Sequence, residues 1–122
     1  MKKATPDNFA AAVESVLNEY KDRVDDVLGD VIKAVGKEAA KDISRNAPRG
    51  RTEEYARSWT STDTGTRIAP GSTVYSTKPG LPHLLENGHA LRGGGRTRAI
   101  PHISQVEEAL PQMLEDRIRR EL

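Results

Sequence analysis

The chain has 122 residues, of which 35% are apolar and 4% aromatic, with no cysteine and a formal net charge of +1. This length suits one domain with one modest core, and the lack of cysteine excludes a disulfide framework and a thiolate zinc site. We expect neither a signal peptide nor a membrane-spanning helix, because the lysines near the start precede no apolar run and no stretch of about 20 apolar residues follows.

The first predicted element is a long helix over residues 6–47. Thr5 is a suitable hydroxyl N-cap, Pro6 is favourable at the first helical position, and Pro48 should end the helix near Asn46. Apolar residues recur at steps of three and four, which is the period of one helix face. That face consists of Phe9, Val13, Val16, Tyr20, Val24, Val27, Val31, Val35, Ala39 and Ile43.

This helix would be about 60 Å long at 1.5 Å per residue, which is more than a small domain can cover. Gly29 and Gly36 each cost about 1 kcal/mol relative to alanine, so we expect a bend or break there. Two interpretations of the apolar face remain open. It is either a coiled-coil or bundle face, or a face that packs at one end on the domain's own sheet and at the other on a neighbouring subunit.

Residues 58–77 are predicted to form a small antiparallel sheet. Ser58 to Thr62 and Ser72 to Ser76 have the composition of short strands, and Thr66 to Ala69 is a third candidate between turns rich in glycine and proline. Two or three strands are not stable alone. The long helix should therefore cover their apolar face, with Trp59 in the core. The predicted fold class is therefore α+β, in a single domain over residues 1–122.

Two further helices are predicted. A short one spans residues 81–88, with Pro82 in its first turn and left-handed geometry at Asn87-Gly88 to end it. The last spans residues 104–122. Ser104 and Glu107 have the spacing of a capping box, and Pro111 should kink this helix because it removes a backbone hydrogen bond.

Between these helices, residues 89–100 are predicted to protrude as a loop or a hairpin. The loop contains Gly93-Gly94-Gly95 with Arg92, Arg96 and Arg98, and it lies in the most basic part of the chain. It lacks the Gly-Lys-Ser/Thr of a phosphate loop, so nucleotide binding is not expected. Three arginines on a projecting segment suit a DNA backbone or an acidic protein equally, although the modest net charge predicts only local and weak DNA contact.

A metal site is a further possibility, because His83, Glu86 and His89 are spaced three apart. The expected break at Asn87-Gly88 separates His89 from the other two, so surface or subunit hydrogen bonds are the favoured interpretation. No Gly-x-Ser-x-Gly elbow holds a nucleophile. We predict no catalytic residue, no metal and no cofactor.

Three short motifs carry a resemblance to a known family. They are PRGRTEEYARSW at Pro48 to Trp59, the helical turn LPHLLENGH with Leu85-Glu86-Asn87-Gly88 at its centre, and IPHI at Ile100 to Ile103 before the final helix. Together with the long first helix, they resemble the tail-completion, or head–tail joining, proteins of long-tailed bacteriophages. His102 stands where that family commonly has an aromatic residue.

The resemblance implies a non-catalytic virion protein of the phage neck, made in the host cytoplasm and assembled as a ring, commonly sixfold, between the head-closure protein and the tail tube. Subunit or partner contacts are then expected at Leu81, Leu84, Leu85, Arg92, Arg96 and Arg98, with the three arginines also able to reach DNA in the channel. Two other functions remain open. One is a nucleic-acid-associated accessory protein that uses the loop from Arg92 to Arg98, and the other is a small metal-dependent nuclease.

Overall fold

The computed structural model describes residues 8–50 and 52–122 and confirms the α+β class. The described residues form three helices and one two-stranded antiparallel sheet, with a 3₁₀ turn before the first strand. None of the described helices is long and apolar enough to cross a bilayer. The elements in chain order are α1 (Phe9–Asn46), the 3₁₀ turn (Ala56–Ser58), β1 (Trp59–Asp63), β2 (Ser72–Ser76), α2 (Leu81–Asn87) and α3 (Ser104–Glu121).

Helix α1 is continuous through both of its glycines, so the break expected at Gly29 or Gly36 is wrong, whereas the alternative of a bend stays a prediction. Gly36 is instead a packing residue, because a Cβ there would collide with the Ser72 hydroxyl of the sheet. The helix ends as expected before Pro48, with Ala47 in an extended conformation. The predicted start at Thr5-Pro6 lies outside the described residues.

The sheet has two strands, paired from Trp59↔Ser76 to Asp63↔Ser72. The third candidate strand, Thr66 to Ala69, is wrong. The Thr66 N–H donates to the Ala69 carbonyl at 2.9 Å, and the Ala69 N–H donates to the Thr66 hydroxyl at 3.1 Å. These two hydrogen bonds fold the segment into a turn, so it is not an extended strand. Arg67 in the same loop ties it to α1 through Asp26, at 3.2 Å.

The core lies around the second half of α1. One cluster joins Ala39 and Ile43 to Val106 of α3, with Trp59 and Val74 of the sheet packed against it. A second cluster follows the end of α1 and consists of Ala47, Tyr55 and Ala56, with Leu85 of α2 against it. Burial of each aliphatic side chain contributes about 1.5–3 kcal/mol to the stability of the fold. Packing therefore stabilises α1, although its many valines are poor helix formers.

The start of α3 differs from the prediction. Ile103 occupies the N-cap position, Ser104 is already helical, and no side chain of the N-cap residue caps the helix. The capping box expected between Ser104 and Glu107 is therefore wrong. The helix runs without interruption through Pro111, and the kink expected there stays a prediction.

Candidate functional site

The start of α3 is capped by a carboxylate from another helix, Glu86 of α2. Its Oε1 accepts the backbone N–H groups of His102 at 2.7 Å and Ile103 at 2.9 Å, and its Oε2 accepts that of Ser104 at 3.2 Å. Burial alone raises the pKa of Glu86, but these three N–H groups and the Ser104 hydroxyl lower the pKa by more, so the carboxyl is more acidic than usual. Glu86 therefore couples α2 to the start of α3 through three charged hydrogen bonds.

This role removes Glu86 from the metal site considered above. The imidazole of His83 lies beside the Asn87 side chain, with Nδ1 and Nδ2 3.2 Å apart, and Nδ1 of His89 lies 3.1 Å from the Ala90 carbonyl. In the part of the chain that the structure describes, no group of three His, Cys, Asp or Glu residues could hold a metal ion. The spacing in the sequence did not bring the three side chains together.

His102 fills an aromatic position in the core and is fully buried. Its ring meets those of Tyr55 and Trp59 edge to face, with centroids 5.5 and 6.3 Å away. Nδ1 lies 2.7 Å from the Ile100 carbonyl, which can only accept, so Nδ1 carries the hydrogen. With the hydrogen on Nδ1, Nε2 is placed to accept from the Tyr55 hydroxyl, 2.6 Å away. A histidine thus packs as an aromatic residue would and joins two loops by hydrogen bonds.

The three leucines of α2 do not share one environment. Leu81 and Leu84 are about 40% exposed, at 40% and 38%. Leu85 is half-buried against the Ala47, Tyr55 and Ala56 cluster. An open pocket of about 340 Å³ lies beside Leu81 and Leu85 and is also lined by Pro48, Tyr55 and Lys78. Of the predicted contact leucines, Leu81 and Leu84 are therefore the accessible pair.

The Gly/Arg segment forms a short exposed hairpin rather than an irregular loop. It is closed by a bridge between Ala90 and Arg96, and the Thr97 N–H donates to the His89 carbonyl at 2.8 Å. Gly94 and Gly95 turn the chain with φ values of 101° and 78°, which only glycine adopts without strain. We call residues 89–97 the arm.

The arginines of this region divide into two kinds. The Arg96 guanidinium donates to the Gly88 carbonyl at 3.3 Å and so helps to anchor the arm to the end of α2. Arg92 in the turn and Arg98 just after the arm are exposed, and they have no hydrogen bond or ion pair among the described residues. Arg92 and Arg98 are therefore the two that remain available to another molecule.

The first half of α1 extends beyond the rest of the domain and presents an apolar face to solvent. On the same face, Val31, Val35, Ala39 and Ile43 are buried, whereas the five large residues nearer the start are 41–65% exposed. We call these five residues the open stripe: Phe9, Val13, Val16, Leu17 and Tyr20. A contiguous exposed apolar face of this kind is typical of a protein–protein contact.

Comparison with protein families gives a match over most of the chain. Residues 11–88 match the model of the HK97-gp10-like family, described as "Bacteriophage HK97-gp10, putative tail-component". The chain belongs to the HK97-gp10-like family. The resemblance to a family of phage tail proteins is thereby confirmed, over a stretch that includes two of the three motifs up to Gly88; Ile100 to Ile103 lies beyond it. No curated protein and no solved structure is similar enough to this chain to match it.

Within this HK97-gp10-like chain, the matched stretch includes almost all of α1, the sheet and α2, and ends at Gly88. The arm and α3 follow it. Glu86 lies at the end of the matched stretch and binds the backbone at residues 102–104, beyond it. The cap on α3 therefore links the part of the chain that carries the family pattern to the part that follows, in addition to the packing of Val106 on α1.

One further surface of this HK97-gp10-like protein was missed from the sequence. An open groove of about 390 Å³ runs between α1 and the outer edge of β1. The basic residues on its α1 side are Lys37, Lys41 and Arg45, and Trp59 and Ser61 lie on its β1 side. The sequence contained a signal for this surface, because basic residues at every fourth position of a helix lie on one face. Which strand lies opposite that face depends on the tertiary fold.

Proposed function

We propose that this protein is a tail-completion protein of a long-tailed bacteriophage and assembles as a ring of six copies in the virion neck. The ring would lie between the head-closure protein and the tail tube, after synthesis in the host cytoplasm. Membership of a tail-component family supports a structural role in the virion. The open stripe is the main observation in favour of ring assembly, because the domain itself leaves this apolar face uncovered.

The open stripe continues the face of α1 that is buried further along the helix. The last turns of α3 cover that face at Val27 and Val31, where Arg117 and Glu121 lie across a small pocket. The helix ends there, and the stripe from Phe9 to Tyr20 begins where this cover stops. A neighbouring subunit that lies beyond the end of α3 would extend the cover. Such a contact joins different patches on each subunit, which is how closed rings are built.

We assign the remaining contacts of the ring to side chains that are exposed in the single subunit. Leu81 and Leu84 of α2 offer a second apolar patch, whereas Leu85 contributes by supporting it from the core. Arg92 and Arg98 follow Gly88 in the chain and are exposed. They suit an acidic surface of the head-closure protein or the tail tube, or the DNA that passes through the channel. Arg96 would hold the arm in position for these contacts.

Two neighbouring substitutions on α1 test the proposal. Val16→Glu places a charge in the open stripe, and Ser15→Glu places the same charge on the opposite face of the helix, at another exposed position. In a phage that lacks its own copy, we expect the wild type and Ser15→Glu to restore joined heads and tails, visible by electron microscopy. Val16→Glu should fold normally by circular dichroism and leave heads and tails separate. Joined, infectious particles with Val16→Glu would contradict the proposal.

A second candidate function, a nucleic-acid-associated accessory protein, is favoured by one observation. Arg92 and Arg98 are exposed and have no ion-pair partner among the residues that the structure describes. Binding of duplex DNA by the isolated protein, weakened by salt and by loss of these two arginines, would support this function. Normal virion assembly in the Val16→Glu variant together with such binding would favour it over the neck ring.

A further inference from the structure

The register of the sheet shows which backbone groups of β1 face outward. The Thr77 N–H donates to the Ser58 carbonyl at 2.9 Å, and the Thr64 N–H donates to the Gly71 carbonyl at 3.1 Å. In an antiparallel pair, hydrogen-bonded positions alternate, so the even-numbered residues of β1 bond to β2. The N–H and C=O groups of Trp59, Ser61 and Asp63 therefore point to the opposite side. No hydrogen bond from elsewhere in the described chain takes them up.

The basic groove lies beside this open edge. Its floor is formed by small residues of α1, Ala40 and Ser44, so a backbone can approach the helix closely. Lys37 and Lys41 are exposed and form no ion pair within the described ranges, while Arg45 pairs with Asp42 at 2.9 Å. At the far end of β1, Lys33 and Asp63 lie 4.0 Å apart. The groove thus combines unpaired backbone groups on one wall with uncompensated positive charge on the other.

We propose that the edge of β1 accepts an extended, acidic segment of a partner protein as a third strand that lies over the groove. Its backbone would pair with Trp59, Ser61 and Asp63, as in other cases of strand addition. Lys37 and Lys41 are about 6 Å apart along α1, and alternate residues of a strand are about 6.6 Å apart. Aspartate or glutamate at every second position of the segment would therefore face the basic residues of the helix.

The geometry favours a peptide over nucleic acid. An open strand edge offers N–H donors and C=O acceptors in alternation, and a peptide backbone supplies the matching set. A phosphate backbone supplies acceptors alone and would leave the outward carbonyls unpaired. A two-stranded sheet is also marginal by itself, so a third strand would extend the layer over α1. This surface is separate from the open stripe, and the proposal holds whether or not the ring forms.

The test uses the full-length protein and a soluble, end-capped peptide in which threonine and glutamate alternate. Residue-resolved hydrogen exchange should show the amides of Ser61 and Asp63 slowed about tenfold at saturation, which corresponds to about 1.4 kcal/mol. The inward amides of Thr60 and Thr62 should change little. The same peptide with lysine in place of glutamate should have no effect.

Three outcomes would overturn the proposal. They are no protection by the acidic peptide, equal protection by the lysine peptide, and binding that leaves the Ser61 and Asp63 amides unchanged. Displacement of the acidic peptide by duplex DNA, together with tight DNA binding at the groove, would also overturn it, because the surface would then recognise phosphate.

Two variants and one control test separately how the strand and the helix of the groove contribute to peptide binding. Ser61→Pro removes an outward N–H that β2 does not use, and Lys41→Glu reverses a charge without touching the strand. Each should weaken peptide binding about tenfold or more, equivalent to at least about 1.4 kcal/mol. Lys21→Glu makes the same charge change at an exposed position of α1 remote from the groove and should leave binding unchanged. Unaltered binding in Lys41→Glu, a variant that keeps the whole strand, would contradict the proposal.

Discussion

Glu86 Oε1 lies 2.7 Å from the backbone nitrogen of His102, sixteen residues later in the chain. The same carboxylate also holds the amides of Ile103 and Ser104, so one side chain satisfies three of the N–H groups that gather at the start of α3. Its side chain is only 15% exposed, which limits competition from water. The orientation of α3 on the domain is thus tied to the short helix α2.

The first prediction concerns pH. The folded-state pKa of Glu86 lies below its unfolded value, so its stabilisation is complete above about pH 4.3 and is lost as the pH falls through the folded-state pKa. Glu86→Gln should lower the free energy of unfolding by about 1–2 kcal/mol at pH 7, with the difference shrinking below about pH 4. Urea denaturation across this pH range measures both effects. Glu107→Gln is the control and should change stability by only a few tenths of a kcal/mol, about the contribution of the helix dipole.

A second prediction concerns the buried pair of Tyr55 and His102. Tyr55→Phe keeps the ring but leaves Nε2 of His102 without a donor in a fully buried site, which should cost about 1–3 kcal/mol. Tyr75→Phe removes the same hydroxyl from a residue that is 42% exposed and should change stability by less than about 0.5 kcal/mol. Equal denaturation midpoints for the two variants would show that the hydrogen bond contributes nothing.

A third prediction separates the two glycines of α1. A Cβ at Gly29 would meet no atom within 4 Å, so Gly29→Ala should stabilise the protein by up to about 1 kcal/mol through helix propensity. Gly36→Ala should instead destabilise it by about 1–3 kcal/mol, because the Ser72 side chain must move. Adding Ser72→Gly to Gly36→Ala should recover part of the loss. Thermal unfolding of the single and double variants provides the measurement, and stabilisation by Gly36→Ala would contradict the packing described here.

A fourth prediction concerns the arm. Replacing both Arg92 and Arg98 by alanine should leave the free energy of unfolding within about 0.5 kcal/mol of wild type, because neither residue has a partner in the described chain. The yield of joined phage particles should fall. Arg96→Ala removes the bond to the Gly88 carbonyl and should instead speed hydrogen exchange within the arm. A full yield of joined particles from the double variant would show that Arg92 and Arg98 are not part of the assembly surface.

Local rules were sufficient for much of the fold. The apolar period of α1, the extended conformation before Pro48 and the helix stop at Gly88 each depend on a few neighbouring residues, and all three are present in the structure. The predicted geometry at the end of α2 is wrong in one respect. Gly88 has φ 73° and ψ 170° rather than the left-handed helical geometry expected. Glycine is needed there for two reasons: its positive φ strains any residue with a Cβ, and a Cβ would stand 2.6 Å from the Thr97 carbonyl.

By itself, the sequence determined the class of the protein, its long amphipathic helix and its family, because these follow from periodicity and from short motifs. The tertiary structure decided which part of the apolar face remains open, that Glu86 rather than Glu107 caps α3, and that the edge of β1 faces a basic groove. Each of these depends on groups far apart in the chain that meet only after packing. A helix period specifies which residues share a face, but whether that face is covered depends on where the other elements end.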